Sequence, residues 1–117
     1  MDTKRRAKLN EALEQILHKL VAHYHPEKVI LFGSLADDQV REWSDLDLVI
    51  IKDTSQPFFQ RLKEIALLCR PSVGVDFLVY TPDEFARMLA DKNPFIVEEI
   101  VQKGKVLYER QSAKTVA

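Results

Sequence analysis

Apolar residues Leu9, Leu13, Ile16, Leu17, Leu20, Val21 and Tyr24 recur at spacings of three and four. That period places them on one helical face and predicts a long amphipathic first helix ending before Pro26. Further on, short apolar runs bounded by turn residues predict strands over residues 28–33, 45–52, 73–80 and 105–109. Between the second and third runs, residues 57–69 return to a helical period, with Phe58, Leu62, Ile65, Ala66 and Cys69 expected inward. Thr81-Pro82-Asp83-Glu84 has the form of a capping box with proline at the first helical position, and Asn93-Pro94 opens another helix that stops at Gly104. Residues 110–117 read as a loose tail. The fold class expected is α+β, a mixed β-sheet flanked by helices, in a single domain spanning 1–117.

Connection lengths fix strand directions. The link from Ser34 to Ser44 is too short for a helical crossover, so the first two strands pair antiparallel. The link from Asp53 to Ser72 contains a whole helix, which suits a right-handed crossover to a parallel third strand. The end of the first strand, the start of the second and the start of the third then share one sheet end. Gly33-Ser34, Asp45, Asp47 and Asp76 all fall there. With a rise of about 3.3 Å per residue, Asp45 and Asp47 project from one face about 6.6 Å apart.

Composition narrows the partners. The chain has 117 residues, 46% hydrophobic and 30% charged, enough apolar material for one core. The apolar stretches are strand-sized, so neither a membrane span nor a secretory signal is expected, and a cytoplasmic location follows. A formal net charge of −1 argues against broad electrostatic capture of nucleic acid. Cys69 is the lone cysteine and is expected as a buried thiol. His18, His23 and His25 lack a convergent ligand pattern and are read as surface or helix-end residues. Asp37 and Asp38 are read as solvated loop charges, and Trp43, Phe58 and Phe59 as core or interface residues.

Two acids at i, i+2 in an apolar strand are costly to bury without compensating positive charge. Magnesium meets that need: it takes hard oxygens and leaves positions for water and phosphate, and a second ion could activate an attacking hydroxyl. Gly33 allows a tight turn and close backbone approach, while Ser34 offers an amide and a hydroxyl to phosphate oxygens.

Leu31-Phe32-Gly33-Ser34, Ser44-Asp45-Leu46-Asp47-Leu48 and Asp76 together resemble the minimal nucleotidyltransferases of the DNA polymerase beta superfamily, including the antitoxins paired with HEPN-domain toxins. The resemblance spans about residues 28–109. It implies a nucleotidyltransferase fold, a bound nucleoside triphosphate such as ATP, two Mg2+ ions and transfer of a nucleoside monophosphate to a hydroxyl. By the same analogy Gly33 and Ser34 hold phosphates, and Asp45, Asp47 and Asp76 are the catalytic metal ligands. Where the family continues as Gly-Ser-Arg-Ala-Arg-Gly, this chain has Gly33-Ser34-Leu35-Ala36-Asp37-Asp38, with neither arginine. Arg41 is the nearby candidate to replace them in part, and a partner could supply charge in trans.

Three functions compete. The first is a metal-dependent AMP-transferase that modifies a HEPN-type helical partner protein in an antitoxin-like pair. The second is a catalytically weak or inactive subunit that neutralises such a partner by contact. The third, transfer to a small molecule, is disfavoured because no second domain walls an acceptor pocket. The small size of the module also suggests a hetero-complex or a homodimer.

Overall fold

The computed structural model describes residues 2–111. Helix α1, Thr3–Lys19, is started by Asp2, whose Oδ1 accepts the Arg5 backbone N–H at 2.7 Å. It runs on through a π-helical turn, Leu20–Tyr24, and ends at His25 in the left-handed region, one residue before Pro26. Its buried face carries Leu9, Leu13, Ile16, Leu20 and Tyr24, as the spacing predicts. Each such aliphatic side chain contributes roughly 1.5–3 kcal/mol relative to exposure.

Among the described residues four strands form one sheet: β1 (Lys28–Phe32), β2 (Leu46–Ile51), β3 (Val75–Tyr80) and β4 (Lys105–Glu109), in the order β3-β2-β1-β4. Strand β1 pairs antiparallel with β2 and β4, and β2 pairs parallel with β3. The short connection thus joins antiparallel strands and the long one parallel strands, as their lengths predict. The crossover from β2 to β3 contains α3, Phe58–Cys69. Helix α4, Pro82–Ala90, begins with the full capping box between Thr81 and Glu84. A π-helical segment, Phe95–Gln102, leads into β4. The fold is a mixed α+β sheet flanked by helices.

Strand alternation divides the core in two. Val29, Leu31, Leu46, Leu48, Ile50 and Val79 face α1 and α3. Ile30, Val49 and Ile51 face the other way, onto Ile96 and Ile100 of the π-helical segment and Phe85 and Met88 of α4. Asp47 and Asp76 share the parity of this second face. Along β2 every residue is buried except Asp47, which is half-buried.

Several expectations need correction. Strands β1, β2 and β3 are each shorter than the apolar runs that predict them, because Gly33 turns out of β1 and Asp45 and Gly74 precede their strands. On α3, Ala66 is exposed and Arg61 is buried in its stead. The guanidinium can go in because it donates to the carbonyls of Gln56 and Val79 and to the Glu84 carboxylate. Trp43 and Phe59 are 74% and 83% exposed, so neither is a core residue. Ser44 turns inward, its Oγ accepting the Arg41 N–H at 2.8 Å, while its neighbour Trp43 is left at the surface. Asp37 and Asp38 are exposed loop charges, as expected, and Arg6 pairs with Asp38. Arg110 is tied to Glu27 by backbone and side chain, and residues 112–117 of the expected tail lie outside the described residues.

Cys69 is buried, and burial pushes its thiol above the usual range. His18, His23 and His25 are exposed. Among the described residues no helix is long and apolar enough to cross a membrane.

Candidate active site

The topology delivers the acids to one sheet end. Phe32, the last residue of β1, stands opposite Asp47, and Asp47 stands level with Asp76 across the parallel β2–β3 ladder. Central position in the sheet explains why Asp47 is only half accessible, whereas Asp76 on the edge strand is exposed. Asp45 sits just before β2, where the Leu46 N–H donates to the Gly74 carbonyl at 3.0 Å.

Two glycines make room for the carboxylates. Gly33 has φ +77°, and a Cβ there would come within 2.1 Å of Asp47 Oδ2. Both the left-handed backbone and the contact call for glycine. A Cβ on Gly74 would come within 2.6 Å of Asp45 Oδ1. Gly33 also opens the short helix α2, Gly33–Ala36, so Ser34 lies in its first turn.

Negative charge is in excess here. The Asp47 carboxyl is pushed up to about 6, first by burial, then by its hydrogen bond with Asp76 and by the charges of Asp76 and Asp45. Asp45 is partly compensated: Arg5 of α1 donates through Nε to the Ser44 carbonyl at 2.8 Å and through Nη2 to Asp45 Oδ1 at 3.3 Å. Arg41, expected to stand near the turn as a replacement cation, is exposed in the loop, and the cation that meets the acids is Arg5. The sequence pattern does not reveal this contact, which joins residues 40 apart.

Among the described residues no three acidic, histidine or cysteine side chains are gathered as a ready metal cage. Asp47 and Asp76 are together, while Asp45 is turned to Arg5. The donor set of Asp47 and Asp76 is all hard oxygen and carries uncompensated charge, which fits a divalent cation such as Mg2+.

A shallow cavity of about 550 Å³ adjoins the pair, lined by Asp47, Asp76, Phe32, Leu62, Phe77 and Phe95 among others. Phe32 and Phe95 meet edge to face at 5.5 Å between ring centroids. A larger cavity of about 750 Å³ opens at the opposite sheet end beside Glu27, Lys28, Glu109 and Arg110. Its charges pair with one another, Lys28 with Glu109 and Arg110 with Glu27, each at 3.2 Å. It lacks the uncompensated acids that mark the first.

Known proteins share this fold and this family. The fold is shared with the crystal structure of "a putative nucleotidyltransferase from Sulfolobus solfataricus", at 18% sequence identity and a TM-score of 0.65, over 92% of this chain and 86% of that one. No curated protein sequence is significantly similar to this one. Residues 14–113, most of the chain, match the family model described as polymerase beta, nucleotidyltransferase, and the chain belongs to that family.

Proposed function

We propose that this domain transfers a nucleoside monophosphate, AMP from ATP in the first instance, to a hydroxyl of a HEPN-type helical partner protein, with Mg2+ as cofactor. The observation that carries the reading is the level pairing of Asp47 with Asp76 beside Gly33, an uncompensated acid pair at a glycine-serine turn. Membership of a nucleotidyltransferase family supplies the reaction type. The acceptor and the antitoxin-like role rest on resemblance and on the openness of the cavity.

Each residue has a part. Backbone N–H groups at Gly33 and Ser34, with the Ser34 hydroxyl, donate to phosphate oxygens. Asp47 and Asp76, joined by Asp45, would hold magnesium, which would supply charge neutralisation to the phosphates and to the departing pyrophosphate. The acceptor oxygen forms a bond to the α-phosphorus as the bond from that phosphorus to the bridging oxygen breaks. Pyrophosphate leaves with that electron pair, and the hydroxyl proton passes to water. Fixing the triphosphate in line with the acceptor is the chain's main contribution.

Incubation with ATP, Mg2+ and a co-expressed HEPN-type partner, read by intact mass, tests the proposal. One AMP is expected on the partner, absent with Asp45→Asn/Asp47→Asn; an unlabelled partner with all four nucleotides would overturn it. A second reading, neutralisation by contact alone, has one observation in its favour: Asp45 is ion-paired with Arg5. It predicts a stable complex that forms equally well with the doubly substituted chain and never carries label.

A further inference from the structure

The first turn of α1 is fastened to the loop of residues 37–45 at several points. The Asp2 N–H donates to the Val40 carbonyl at 3.1 Å, Arg6 pairs with Asp38, and Arg5 reaches both Ser44 and Asp45. Arg5 is thereby held at the margin of the carboxylate cluster by a short bond from Nε, 2.8 Å, and a longer one from Nη2, 3.3 Å. Its side chain is 18% exposed, against 51% for Asp45. Residue 5 lies outside the family match, which begins at residue 14.

Resting on the nucleotidyl-transfer reading, we propose that Arg5 is a substrate-contacting residue, which releases Asp45 and takes the phosphates of an incoming nucleoside triphosphate when a divalent cation claims Asp45. The turn Gly33-Ser34-Leu35-Ala36-Asp37-Asp38 contains no cation and two acids, and Arg6 already engages one of them. A triphosphate brings further negative charge to the same place. Among the described residues Arg5 is the cation in contact with the acid cluster.

The exchange leaves no charge stranded. As the cation takes Asp45, Arg5 keeps its Nε anchor on Ser44 and turns its Nη edge from one anion to another. A guanidinium suits phosphate because its donors form a fork. Fastening at Ser44 also means that little side-chain freedom is lost on binding. The same contact has a second effect. Without nucleotide, Arg5 competes with the cation for Asp45, so Mg2+ alone binds more weakly than Mg2+ with triphosphate.

Calorimetric titration of the full chain with Mg2+ alone, then with Mg2+ and α,β-methylene-ATP, tests this. In Arg5→Gln the affinity for the Mg2+–nucleotide pair is expected to fall at least about tenfold, the size of a lost charge-assisted contact. Affinity for Mg2+ alone is expected to rise, because Asp45 is released. A merely structural Arg5 would not move the two in opposite directions. Nucleotide affinity unchanged in folded Arg5→Gln overturns the proposal while leaving nucleotidyl transfer intact. If Arg5→Gln fails to fold, Arg5→Lys decides: it keeps the charge but not the fork, so a loss of about threefold or more supports the role and unchanged affinity refutes it. If the unsubstituted chain binds neither Mg2+ nor nucleotide, the nucleotidyl-transfer reading fails, and this inference with it.

Discussion

Two charged clusters in this small domain are built on opposite principles. Around Arg61 everything is matched: the guanidinium donates to two carbonyls and to both oxygens of Glu84, and Glu84 closes the α4 cap through the Thr81 N–H. Arg61 holds the Glu84 carboxyl below its usual range, and Glu84 raises Arg61. Around Asp47 the balance is missing, and burial and two neighbouring acids push its carboxyl up instead. A cluster that satisfies itself holds the fold together. One that needs an outside cation marks where a ligand goes.

Breaking the unmatched cluster should have the larger effect. Asp47→Asn is expected to lower transfer by about a thousandfold, roughly 4 kcal/mol of transition-state stabilisation. In the metal-free protein the same change removes like-charge crowding and raises stability, by up to about 1 kcal/mol given the partial solvent screening. A chain that loses activity and melts higher in EDTA would sharpen the contrast; one that loses both would erase it. In the matched cluster, Glu84→Ala strands a buried guanidinium and removes half of a capping box. Its expected cost is about 2–3 kcal/mol in urea unfolding, with Mg2+ binding unaltered.

Acid gives the smallest and most diagnostic effect, because the two clusters titrate with opposite sign. Glu84 is lowered from an ordinary 4.5, so its stabilisation is full above that value and is lost as pH falls through the folded one. Asp47 is raised from 3.8 to about 6, so between those values the folded chain holds the extra proton. Its penalty is present above about 6 and fades as pH falls toward 3.8. Unfolding of the metal-free protein across this range should show both slopes, with Asp47→Asn and Glu84→Gln each flattening its own. Identical profiles for the three proteins would refute the contrast.

Much of this was legible in the sequence, for definable reasons. Strand direction follows from loop length, so Asp47 and Asp76 could be brought together without coordinates, and the register places them level. The capping box at Thr81 is a local pattern and forms as written. Arg61 was missed because helical periodicity ranks positions by apolarity, and a cation whose partners lie 5, 18 and 23 residues away in sequence has no such signature. Arg5 was missed for the same reason. The adjacent arginines in the first turn of α1 were the available hint, since a helix N-terminus repels cations unless something anionic holds them.

One consequence of the sheet order concerns access. Strand β3 is an edge strand, so Asp76 stands on the rim of the sheet, and the cavity beside it is shallow, with no tunnel to enter. For the proposed transfer, an acceptor hydroxyl carried on something as bulky as a folded protein would meet no tunnel wall there. On the proposed reading, selectivity among acceptors would rest on the match between two surfaces along that rim.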